Sequence, residues 1–190
     1  MASLNEHSPY VAWLGCLNAI GHKIRREGLM AIEADVERPM NEDSPFSKFP
    51  LTLKQPYLEF ACDILRLMLG GMLNQPALID LYAENALRAN RSGRFWQRAD
   101  EKLLRLIAVT LRMLSDEHHP NVACEFGRQV IPALKRPAFN EVEEWLREQR
   151  VDARMPLSEE RISAFLSGIG VSAACKELQP SASINSNKYE

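Results

Sequence analysis

Four carboxylates close together, Glu141, Glu143, Glu144 and Glu148, are the first residues whose types and spacing could do chemistry. A pair of them held at different basicities would serve as general acid and general base. Glu141, Glu144 and Glu148 fall on one helical face with Arg147 and Arg150 close by, so a solvated charged face explains them better than a reaction centre. Adjacent His118 and His119, followed by Cys124, hold potential metal ligands, but neighbouring histidines point apart and no ligand spacing is completed. Gly168 and Gly170 have neither the preceding strand nor the third glycine of a nucleotide-binding loop. No phosphate loop, zinc-protease or serine-hydrolase motif is present, and no catalytic residue, metal or cofactor is expected.

A second pattern is basic. Arg88, Arg91, Arg94, Arg98, Lys102 and Arg105 recur at steps of three or four, with Phe95 and Trp96 among them. On one helix they make a cationic stripe with aromatic anchors, which suits the surface of an anionic bilayer. Arg91, Arg94, Phe95, Trp96, Arg98 and Lys102 are the candidate membrane-surface residues. An ordinary solvated face is the competing reading. Single-stranded nucleic acid would also accept such a surface, but the formal net charge of -2 over the chain gives no global pull toward nucleic acid, and none is expected as a partner.

The elements that must position these residues read as helices. The chain has 190 residues, 46% of them hydrophobic and 25% charged, an ordinary balance for a globular fold. Ser8 and Pro9 signal a helix start, and Tyr10, Trp13, Leu14, Leu17 and Ile20 follow at helical spacing. Beyond Lys23 to Glu27 the chain leads through Gly28 into Leu29, Ile32 and Val36, and it stops at Pro39. Further helices are expected over 55–69, ending at Gly70 and Gly71, and after Pro76, with Leu78, Leu81 and Tyr82 facing the core. Residues 90–93 read as a turn, and a long helix is expected over 94–115 with Leu104, Ile107, Leu111 and Leu114 inward. Helices over 122–131, closed by Pro132, over 139–150 and over 158–166 complete the set.

The expectation is therefore an all-α bundle of about six to eight helices in a single domain over 1–178. A Ser- and Asn-rich tail over 179–190 is expected to be disordered. No apolar run reaches the roughly 20 residues of a membrane span. Glu6 and His7 stand where a secretory leader would be basic. A cytoplasmic setting is expected, in which the scattered Cys16, Cys62, Cys124 and Cys175 serve as small buried hydrophobes.

Residues 25–39 (RREGLMAIEADVERP) carry a basic residue, a glycine, apolar residues, a glutamate, an acidic pair and a proline in order. Ser44, Pro45, Phe46 and Pro50 follow, then Phe60, Asp63, Leu65, Arg66, Leu67, Gly71 and Asn74. A separate block holds residues 123–128 (ACEFGR), then Arg136, Pro137, Phe139, Glu141, Glu143 and Glu144. Together these blocks resemble the cytoplasmic part of the MotA family of flagellar stator subunits, in the family's order, over about residues 10–150.

The family's membrane spans have no counterpart. Nine residues stand before the first helix, and 90–93 occupies the place of the two later spans. The resemblance implies docking on a rotor without ion conduction. By motif position, Arg25 and Glu33 match the charged residues with which the family engages the rotor protein FliG. On a continuous helix they would lie about 12 Å apart and about 80° round the axis. The expected partner is thus a protein, a FliG-like rotor component, met in the cytoplasm at the inner face of the inner membrane. Pro132 departs from the family pattern, because it interrupts a helix that would otherwise continue.

Overall fold

A computed structural model describes residues 8–73, 75, 77–92 and 99–152. Among them stand eight α-helices and two short 3-10 turns, with no strand. The helices are α1 (Pro9–Glu27), α2 (Glu33–Glu37), α3 (Pro45–Lys48), α4 (Tyr57–Leu69), α5 (Ala77–Ser92), α6 (Glu101–Ser115), α7 (Pro120–Val130) and α8 (Phe139–Asp152). The all-α expectation holds. One compact unit runs to Val151. The expected helix over 158–166, the boundary at 178 and the tail lie outside the described residues, as does Cys175.

The central helix is α1. Its Tyr10, Trp13, Leu14, Leu17 and Ile20 are all buried, as their spacing requires. It packs against α6 and α7, and α4 and α5 also pack on α6. Leu104, Ile107, Leu111 and Leu114 of α6 are buried as well. At Gly15 an added Cβ would meet Phe49 at 2.5 Å and Trp145 at 2.6 Å, so the missing side chain lets the Phe49–Trp145 pair close over α1. Cys16, Cys62 and Cys124 are buried free thiols. Burial pushes Cys62 up to about 11 and Cys124 up to about 12, so they stay protonated and behave as small hydrophobes.

Three sequence expectations change. The buried face of α5 is Ile79, Ala83 and Leu87, and Leu81 is 57% exposed. A short amphipathic pattern with alanine in its apolar stripe is easily read out of phase. Helix α5 continues to Ser92, so residues 90–92 of the expected turn are helical. The long helix expected from Arg94 is described only from Glu101, because Asp100 is its N-cap. The Asp100 side chain accepts from Lys102 N (2.9 Å) and from Tyr10 Oη, and its backbone N donates to Tyr57 Oη (2.7 Å). That residue is extended, with φ -66° and ψ 107°, so the helix cannot run on through it. No helix among the described residues is long and apolar enough to cross a membrane.

Candidate functional site

Arg25 sits in the last turn of α1, and Glu33 opens α2. They do not share a helix. The chain turns at Gly28, whose φ of 89° and ψ of 165° belong to a region that side chains with a Cβ avoid. A 3-10 turn, Leu29–Ile32, then leads into α2. The expected separation and rotation along a continuous helix are therefore replaced by a corner.

What holds the corner is an ion pair across it. Lys23 Nζ stands 2.7 Å from Asp35 Oδ2, and Asp35 is buried while the lysine keeps about a quarter of its side chain in solvent. Ile32 and Val36 are fully in the core beneath. On the other side Arg66 of α4 meets Glu37 at 3.8 Å and Asp63 at 2.9 Å. Glu37 is thus engaged by α4, while Arg25 and Glu33 are exposed and take part in no ion pair among the described residues. Met30 lies between them in sequence and is 62% exposed. The corner presents one cation, one anion and one large apolar side chain on a clamped backbone.

An alanine at Gly28 would find open space, so its cost is purely conformational. We expect Gly28→Ala to lower stability by about 2 kcal/mol, read from urea denaturation. An unchanged midpoint would show that the corner relaxes.

The basic pattern is divided. Arg88 and Arg91 belong to α5, and Lys102 and Arg105 to α6, so they form no single helical stripe. Arg94, Phe95, Trp96 and Arg98 lie outside the described residues. Arg105 Nη1 donates to Glu84 (2.9 Å), and Arg112 stands 2.9 Å from Asp80. These pairs join α5 to α6, and the first withdraws Arg105 from the pattern. Lys102 is exposed.

The carboxylates of α8 do not converge. Glu141 accepts from the backbone N of Ala138 (3.1 Å), closing the helix start, and Glu144 pairs with Arg147 at 3.5 Å. His118 is 3.4 Å from Asp116, and the Nδ1 of His119 accepts from Asn121 N (3.2 Å) as the N-cap of α7. No group of three metal-ligating side chains forms among the described residues.

Two features escaped the sequence. One is a cavity of about 260 Å³ lined by Phe60, Tyr82, Leu104, Glu59 and Asp63. The other is a cluster of His22, Asn121, His119 and Arg150 where α1, α7 and α8 meet. Its members come from positions up to 128 residues apart, and no local spacing signals them.

Compared with protein-family models, curated proteins and solved structures, the chain matches none.

Proposed function

We propose that this chain is a non-enzymatic, protein-binding helical module that docks on a flagellar rotor or related motor component through Arg25 and Glu33. The observation that carries the reading is the clamped corner between α1 and α2. Both charges are exposed and enter no ion pair among the described residues, and the buried Asp35 bonded to Lys23 fixes the backbone between them. A surface with its backbone already ordered loses less entropy on association. Separated charges of opposite sign set orientation and association rate more than raw affinity. Exposed Met30 supplies apolar area at the same place.

The resemblance to the stator family supplies the identity of the partner, a FliG-like rotor protein. The chemistry of the corner supplies the manner of docking. Each charge reversal, Arg25→Glu or Glu33→Arg, should weaken binding to the rotor protein by about 1 kcal/mol, roughly fivefold. The loss should shrink at high salt, where exposed charges are screened. Equal affinity for wild type and both variants at low salt would defeat the proposal.

A further inference from the structure

Three helices line the cavity of about 260 Å³, with α4 and α5 both packing on α6. From α4 come Glu59, Phe60 and Asp63, and from α5 come Tyr82, Ala86 and Ala89. On each helix these residues fall within one face. Leu104 of α6 is buried and adds an apolar wall. Tyr82 fills one turn of α5 against Phe60, their ring centroids 5.8 Å apart and their planes at 31°. The next two positions on that face are alanines, whose short side chains leave the volume open.

Among the described residues that line the cavity, the charged side chains are both carboxylates. Asp63 is half-buried, and it accepts from Arg66 Nη1 (2.9 Å) at one oxygen and from the Tyr82 hydroxyl (3.4 Å) at the other. Glu59 stands one turn earlier on the same face and is exposed. Tyr82 feels both. Burial first, then the charge and hydrogen bond of Asp63, then the charge of Glu59 raise its phenol above the ordinary value of 10.0. Two carboxylates against the one guanidinium of Arg66 leave a single negative charge along this wall.

We infer that this cavity binds a small organic monocation, an ammonium group carried on a single aromatic ring by a short chain. The ring packs against Phe60, Tyr82 and Leu104, and the ammonium group meets Glu59 and Asp63. Apolar walls with a few placed polar groups are the usual make-up of a small-molecule site. Two aromatic walls favour an aromatic body over an aliphatic one. The same rings attract an ammonium group, as the carboxylates do. The volume lies just under the roughly 300 Å³ at which drug-sized sites begin, which limits the ligand to one ring. An anion would face the carboxylates without a counter-charge of its own. The inference goes beyond the docking reading and shares no residue with it.

Titrating the full chain with phenethylamine, a monocation at neutral pH, while following the ring resonances of Phe60 and Tyr82, tests it. Saturable shifts are expected. The neutral 2-phenylethanol should bind about tenfold more weakly, and phenylacetate more weakly still. Glu59→Gln should weaken the amine severalfold and leave the alcohol nearly unchanged, because only a charge is removed. Ala86→Leu puts a branched side chain into the space and should abolish binding of all three compounds. Glu148→Gln, on the exposed face of α8, should leave the amine response unchanged. Glu59 is exposed, so its comparison stands whether or not Ala86→Leu folds. No saturable response to phenethylamine, or equal affinity for the amine and the alcohol, would overturn the site. So would amine binding unchanged in Glu59→Gln or in a folded Ala86→Leu. Arg25→Glu should leave the amine response intact while weakening rotor binding, so the two readings fail separately.

Discussion

Trp13→Ala is expected to lower the unfolding free energy by about 4 kcal/mol, the scale of a large aromatic truncated inside a packed core. Trp13 is completely buried in α1 and stands edge-on to Phe46, with ring centroids 6.2 Å apart and planes at 74°. Phe46 is itself completely buried, in a helix of only four residues whose cap is Ser44 accepting from Phe46 N. So short a helix has little cooperativity of its own and persists by what it packs against. Removing the indole therefore opens a cavity and also takes away the aromatic contact that seats α3. Trp13→Phe should cost only about 1.5 kcal/mol, the loss of part of the ring volume. The indole Nε1 is buried with no hydrogen-bond partner among the described residues, so no bond is lost with it. Urea denaturation of both variants at constant m-value checks the contrast. Equal losses would mean that the N–H, and not the volume, is what the site requires.

The core of α1 was legible because its apolar residues alone set the helical period and α1 lies at the centre of the packing. The start of α8 was legible too, since Pro137 and Phe139 bracket it, and Gly70 closes α4 as expected. What was not legible depends on partners remote in sequence. Asp100 ends one helical reading and begins another through Tyr10 and Tyr57, which stand 90 and 43 residues away. Gly28 could be read through as part of a helix, because a glycine in a periodic pattern does not announce its φ. Its turn is held by Lys23 and Asp35, and nothing in the local sequence selects that pairing over Lys23 with Glu27. Arg25 and Glu33 were identified through the family motif, and the corner on which they stand came only from the fold. The same limit applied to the Arg150 cluster. A histidine on α1 and an arginine on α8 carry no joint signal until the helices meet.

Arg128→Ala is expected to cost about 3 kcal/mol, near the lower end for removing one partner of a buried ion pair. Arg128 is 8% exposed on α7 and meets Glu125 twice, Nε to Oε2 at 2.7 Å and Nη2 to Oε1 at 2.8 Å. Its third bond, Nη1 to the carbonyl of Pro137 at 2.7 Å, ties α7 to the residues that lead into α8. The lower end applies because Glu125 keeps 28% of its side chain in solvent and can return to water when its partner is gone. Arg128→Lys should recover less than half of the loss, since an ammonium cannot make the forked contact and reach the carbonyl together.

The pH dependence distinguishes this account from simple loss of packing. The hydrogen bond from Arg128 holds the Glu125 carboxyl below its ordinary value of 4.5. A carboxylate with a depressed folded pKa contributes stability that is full above the unfolded value and is lost as pH falls through the folded one. Wild type should therefore lose this increment on acidification below about 4.5, and Arg128→Ala should lack that part of the acid sensitivity. The gap between the two proteins should stay constant from neutrality to about 4.5 and narrow as pH falls from there through the folded pKa of Glu125. Denaturation at neutral and acidic pH measures it. A gap that stays constant at acidic pH as well would assign the role of Arg128 to its aliphatic stem and to the Pro137 carbonyl, with the ion pair contributing nothing.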